Sequence, residues 1–156
     1  MKTIQSLFAL TLLGAAFSVG AQNATPAASP QAPQAWKYKV KHLSKDEVDA
    51  LLAHPEKLLV LDLRRPSELI TYGSFPAFLN IQANELEQNL AYLPKDRAIV
   101  TVSNHAGRAG VAGDLLAAKG YNVAGAAGSE DYEKAGGKSV RHIQPAAPRP
   151  NASVPG

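Results

Sequence analysis

Apolar and polar positions along this chain fall into blocks that predict strands and helices in turn. Leu58 to Leu63 is an apolar run interrupted only by Asp62 near its end, the pattern of a buried strand. Ala98 to Val102 (Ala-Ile-Val-Thr-Val) is the clearest buried strand, and Asn122 to Ala126 predicts the last one. Trp36 to Val40 alternates, which predicts a short strand, and Asn80-Ile81 predicts another. Between these runs lie helix signals. Ser44-Lys-Asp-Glu47 reads as a capping box opening a helix to about Ala53, because the serine hydroxyl and the glutamate carboxylate satisfy free N–H groups of a first turn. Pro66 suits the first turn of a short helix. Asn84 is expected to cap a helix through about Tyr92, with Glu87 in the reciprocal position and Pro94 ending it. Arg108 to Lys119 reads as a helix of small residues and leucines, with Gly120 at the left-handed position that follows a helix, and Ser129 is expected to cap a final helix to about Ala135. The alternation predicts an α/β fold: a mainly parallel sheet of about five strands with helices on both faces. Ligands of such sheets bind at the carboxyl ends of the strands.

The two ends of the chain follow other patterns. Lys2 followed by the apolar run Leu7 to Val19 and the small residues Val19-Gly20-Ala21 reads as a secretory signal cleaved before Gln22, so residues 1–21 are expected to be a leader. The run has 13 residues against the roughly 20 that span a bilayer, so no membrane association is expected after cleavage. Residues 22–35 are an uncharged Ala/Pro/Gln/Ser/Thr linker and residues 144–156 a Pro-rich tail, both too poor in apolar side chains to fold. The folded domain is then 36–143, expected to be a monomer in the periplasm or outside the cell. The 156 residues carry a formal charge of +3, which removal of Lys2 lowers by one, and the basic residues are scattered, which argues against nucleic acid. The chain has no cysteine, so thiol chemistry and disulfides are excluded. No metal-ligand spacing joins His42, His54, His105 or His142, and no cofactor is implied. Asn23-Ala-Thr25 and Asn151-Ala-Ser153 fit a glycosylation pattern that would matter only in a eukaryotic secretory pathway.

The chemistry concentrates in one loop. Ser103-Asn104-His105-Ala106-Gly107-Arg108 joins the clearest strand to the next helix. Free N–H groups and the dipole of a helix N-terminus favour an anion, a loop of small residues turns further N–H groups inward, and Arg108 adds a guanidinium at the rim. The same composition also suits a plain strand-to-helix turn with an exposed arginine.

Several strings, in this order, resemble the rhodanese-like domains over about Leu43 to Val140. Val60-Leu-Asp-Leu-Arg-Arg-Pro-Ser-Glu-Leu69 is similar to the stretch after that family's early strand. Tyr72-Gly-Ser-Phe-Pro76 and Asn80-Ile81 resemble its Gly-His-Ile-Pro and Asn-Ile segment. Leu93-Pro-Lys-Asp96 with Ile99-Val100 resembles the lead into its active-site strand, and Leu115, Leu116 and Gly120-Tyr121 the helix behind the loop. Gly128 and Tyr132 stand where the family often has Gly-Gly and Trp. The resemblance implies a three-layer rhodanese-like fold with a six-residue loop of sulfurtransferase length, a nucleophilic cysteine opening the loop and an arginine closing it. Arg108 keeps the arginine, but Ser103 stands at the cysteine position, Ser74 replaces the histidine, and Ala106 replaces the first loop glycine, with Gly107 expected to supply some of the lost freedom. A serine hydroxyl lacks the low pKa of a helix-terminal thiol and forms no persulfide. The resemblance therefore implies a sulfurtransferase relative without a catalytic residue. It would be a binding module whose Ser103, Asn104, His105, Ala106, Gly107 and Arg108 hold sulfate, phosphate, thiosulfate or an acidic segment of a protein partner.

Two other functions compete. A serine enzyme would need Ser103 activated by a base within reach, and His105, two residues away in a tight loop, is badly placed for that. Asp62 and Glu68 read as structural. A Rossmann-like nucleotide-binding module would use Gly107, Gly110 and Gly113 after a strand, with Glu130 or Asp131 on a ribose, but the spacing is not Gly-x-Gly-x-x-Gly. Gly110 and Gly113 more simply let the helix lie close to the sheet.

Overall fold

Successive side chains of a strand point to opposite faces, and here the parity of the buried positions divides the core into two layers on either side of one sheet. The structure is a computed structural model and describes residues 35–143. The expected leader, the linker up to residue 34 and the tail lie outside the described residues. Helix α1 (Lys45–Leu52) leads through a 3-10 turn (Pro55–Lys57) into β1 (Leu58–Asp62); α2 (Pro66–Tyr72), β2 (Phe78–Asn80), a longer 3-10 segment (Leu86–Tyr92), β3 (Ala98–Ser103), α3 (Gly107–Ala118), β4 (Val123–Gly128) and α4 (Ser129–Lys134) follow. The strands are parallel, in the order β2-β1-β3-β4.

Leu61 and Ile99 face one way, against Ala109, Ala112 and Leu116 of α3 and against Leu86 and Leu93. Leu58, Val60, Val100 and Val102 face the other way, against Val48 of α1, Phe75, Tyr132 of α4 and Val140. The expected covering of both faces is therefore present. Ser44 and Glu47 form the expected capping box of α1, Pro66 opens α2, and Gly120 has φ +80° behind α3.

Five expectations need correction. Among the described residues the sheet has four strands, because Trp36 to Val40 forms none. The Asp114 carboxylate of α3 instead accepts the N–H groups of Lys39 and Val40, at 2.9 and 2.8 Å, and His42 alone bridges to Ala126 on β4. The alternation at Tyr38 and Val40 records packing on α3: a Cβ on Gly110 would stand 2.2 Å from the Tyr38 ring, and one on Gly113 2.7 Å from Val40. The close approach allowed by these glycines is thus mainly to the N-terminal segment, with only Thr101 of β3, 3.3 Å from a Cβ on Gly113, representing the sheet. Asn84 caps no α-helix. The segment winds as 3-10 from Leu86, and the Asn89 side chain donates to the Glu85 carbonyl that an α-helical N–H would have taken. Ser129 is the first residue of α4 rather than its cap, since β4 runs on to Gly128; the short strand near residue 80 likewise begins earlier, at Phe78.

Candidate functional site

The carboxyl ends of β1 and β3 converge with the first turns of α2, α3 and α4. Asp62 closes β1, and Arg64, two residues on, folds back over it. Both side chains are fully buried. The guanidinium donates to Asp62 through Nε (2.9 Å to Oδ1) and Nη2 (2.7 Å to Oδ2). Nη1 donates to Asn104 Oδ1 (3.1 Å) and Ser129 Oγ (2.8 Å), and Nη2 also to the Gly73 carbonyl (2.8 Å). A guanidinium has five N–H groups, and every one is used. Asn80 at the end of β2 donates to the carbonyls of Asp62 and Arg64, fixing the turn between them. Arg64 thereby ties three β–α junctions into one platform beneath the loop. Sequence reasoning missed Arg64, Ser129 and Asn80 as site residues; the opposite charges at positions 62 and 64, just past an apolar strand, were the available signal. Both oxygens of Asp62 are engaged by Arg64.

On this platform Ser103 ends β3, opposite Gly128 of β4. Gly128 has to be glycine for its neighbours' sake: a Cβ there would come 2.8 Å from the Asn104 carbonyl oxygen and 2.9 Å from the Ala106 nitrogen. The loop turns at Ala106, which has φ +59° and serves as the N-cap of α3. Gly107 has no positive φ, so the strained conformation falls on the alanine and not on the neighbouring glycine as expected. Ala106 has no side-chain oxygen to cap the helix. Ser103, buried beneath the loop, takes that role, and its Oγ accepts the Ala109 N–H at 3.1 Å.

Several donors of the loop remain without a protein partner. Among the described residues, the backbone N–H groups of Asn104, His105, Ala106 and Arg108 have no protein acceptor, and neither does the Ser103 O–H. The loop therefore has donors in surplus at the positive end of a twelve-residue helix.

Its rim is less positive than composition implied. The Arg108 side chain is 41% exposed, yet it is committed to Glu68 by two hydrogen bonds, of 2.9 and 2.5 Å. Glu68 also accepts from Asn104 Nδ2 at 3.2 Å and from the Arg65 N–H at 3.0 Å. The Arg108 guanidinium, and the Arg65 N–H after it, pull the Glu68 carboxyl down to about 2, and Glu68 in turn raises Arg108. His105 is exposed and turned toward α4. Its Nδ1 lies 3.0 Å from Asp131 and its Nε2 3.8 Å from Glu130. Among the described residues no hydrogen bond joins His105 to Ser103, so the base that a serine nucleophile needs is engaged elsewhere. Glu130 and Asp131, considered as ribose ligands, are the partners of this histidine. Among the described residues no cluster of three His, Asp or Glu forms a metal site.

No family model and no curated protein matches the chain. Solved structures do match. A rhodanese-related protein from Thermoplasma volcanium is 25% identical, with 63% of this chain and 95% of that one covered, at a TM-score of 0.55. A single-domain sulfurtransferase from Saccharomyces cerevisiae is 26% identical, with 65% and 95% covered, at 0.53. A thiosulfate sulfurtransferase from Pseudomonas aeruginosa is 26% identical at 0.57, with 67% of this chain but 21% of that longer one covered.

Proposed function

We propose that this chain, a rhodanese-like domain with Ser103 at the position of the family's cysteine, is a non-catalytic module that binds an oxyanion in its loop. The supporting observation is the surplus of donors at Ser103, Asn104, His105, Ala106 and Arg108, set on a platform rigid enough to hold them in place. Sulfate, phosphate, thiosulfate or the carboxylate of an acidic protein segment would each bring the missing acceptors. The absence of any cysteine supports the non-catalytic part, because sulfur uptake as a persulfide needs a thiolate. The use of Ser103 as a helix cap also speaks against a serine nucleophile. Lys2 and the apolar run Leu7 to Val19 support action outside the cytoplasm, in a periplasm or secreted.

Two measurements test the proposal. A thiosulfate-to-cyanide assay is expected to show no turnover above buffer, and clear turnover would end the non-catalytic reading. Amide NMR during a sulfate titration is expected to shift Asn104 to Ala109 selectively. Scattered or absent shifts would reduce the loop to a simple turn.

A further inference from the structure

We propose that Glu68 is a built-in competitor of the loop: it withholds Arg108 from the bound anion and sets the site against dianions. This rests on the reading of the loop as an anion cup and adds a residue that decides which anion enters.

The geometry carries the inference. The charge that should complete the loop, Arg108, is already committed, because the Glu68 carboxylate holds it by two bonds. The same carboxylate takes Asn104 Nδ2, so it sits within one side chain of the loop backbone. It is not a wandering surface acid, since the N–H of Arg65, the N-cap residue of α2, donates to it at 3.0 Å. Its side chain is 21% exposed. An entering anion thus meets an ion pair of zero net charge in place of a free guanidinium. On the far side of the loop Glu130 and Asp131 flank His105, at 3.8 and 3.0 Å, so that side adds no second guanidinium in place of Arg108. Coulomb attraction scales with the ligand's charge, so withholding Arg108 costs a dianion twice as much binding free energy as a monoanion.

The test is amide NMR titration of the full chain with sulfate and, separately, nitrate at constant ionic strength, for the native protein, Glu68→Gln, and Glu68→Gln with Arg108→Ala. Glutamine keeps an acceptor for the Arg65 N–H, so the start of α2 is preserved. Glu68→Gln is expected to tighten sulfate by about tenfold and nitrate by about threefold, the square-root relation that the doubled charge demands. The added Arg108→Ala is expected to abolish the gain. Equal sulfate affinity in the native protein and Glu68→Gln would overturn the role of Glu68 while leaving the anion cup standing. A gain that survives removal of Arg108 would overturn the withholding of that arginine. No loop shift in any variant would overturn both this inference and the reading on which it rests.

Discussion

Ser103 and Ala109 are joined by a side chain-to-backbone hydrogen bond of 3.1 Å across the turn that starts α3. Ala109 is the third residue of that helix, so this N–H is one of those a helix cannot satisfy from within. The residue in the usual capping position, Ala106, has only a methyl group. The Ser103 hydroxyl thus has a structural task that follows from the fold.

Ser103→Ala is therefore expected to destabilise the domain by about 1 kcal/mol, the ordinary cost of losing a helix cap. Urea unfolding measures this. Ser103→Cys replaces the oxygen acceptor with sulfur, a weak one, and should lose similar stability. At a helix N-terminus its thiol is expected to titrate below the free value of about 8.5, read from the ultraviolet absorbance of the thiolate. No change on Ser103→Ala would show that the bond contributes nothing.

Arg64→Met leaves the Asp62 carboxylate fully buried beside an apolar side chain. Breaking a buried pair by removing one partner costs about 3–5 kcal/mol. The five donors lost with Arg64 also leave Asn104, Ser129 and Gly73 without their shared contact. The expected result is a protein that unfolds at markedly lower denaturant. Asp62→Asn/Arg64→Met should recover part of the loss, because no buried charge remains.

Much of this architecture was legible in the residues, for identifiable reasons. Leu58 to Asp62 and Ala98 to Ser103 are buried on both faces, so their apolar runs announce them. The capping box at Ser44 is local chemistry, complete within four residues. Features that depend on distant partners were not legible. Tyr38 and Val40 alternate as a strand would, but the groups that receive them are Gly110, Gly113 and Asp114, more than seventy residues away. Arg64 has the composition of a surface residue, and only the convergence of three strand ends makes it a buried hub. The loop was found from the strand before it and the helix after it. The partner of Arg108 was not, because Glu68 lies on another helix, forty residues earlier.

Two glycines of α3 are expected to respond in opposite ways to the same substitution. A Cβ on Gly110 meets the Tyr38 ring at 2.2 Å, so Gly110→Ala forces the N-terminal segment off the helix. Overpacking of this kind costs about 1–3 kcal/mol. A Cβ on Gly107 meets nothing within 4 Å, and its φ is not positive. Gly107→Ala is expected to be neutral or to stabilise by up to about 1 kcal/mol, through the unfolded chain. Thermal unfolding of the pair tests this difference in packing.

The Glu68–Arg108 pair gives stability a pH dependence whose sign follows from the direction of the shift. The Glu68 carboxyl is held at about 2 in the folded chain against an ordinary 4.5. The unfolded chain therefore takes up the proton first as pH falls. The contribution is complete above about 4.5 and is lost progressively as pH drops toward about 2. Glu47, held at about 2 by Lys41 and Ser44, adds a similar acid-side loss, so the native curve alone does not isolate the pair. The difference between native protein and Glu68→Gln does. It should be constant near neutral pH, shrink through that acid window, and narrow at high salt, since Arg108 is 41% exposed and screening reaches it. Arg108→Ala should show the same shrinking difference at a cost of no more than about 1 kcal/mol at neutral pH. A difference independent of pH between about 5 and 2 would mean that the Glu68 carboxyl is not held down in the folded chain, and that Arg108 is free to meet a ligand.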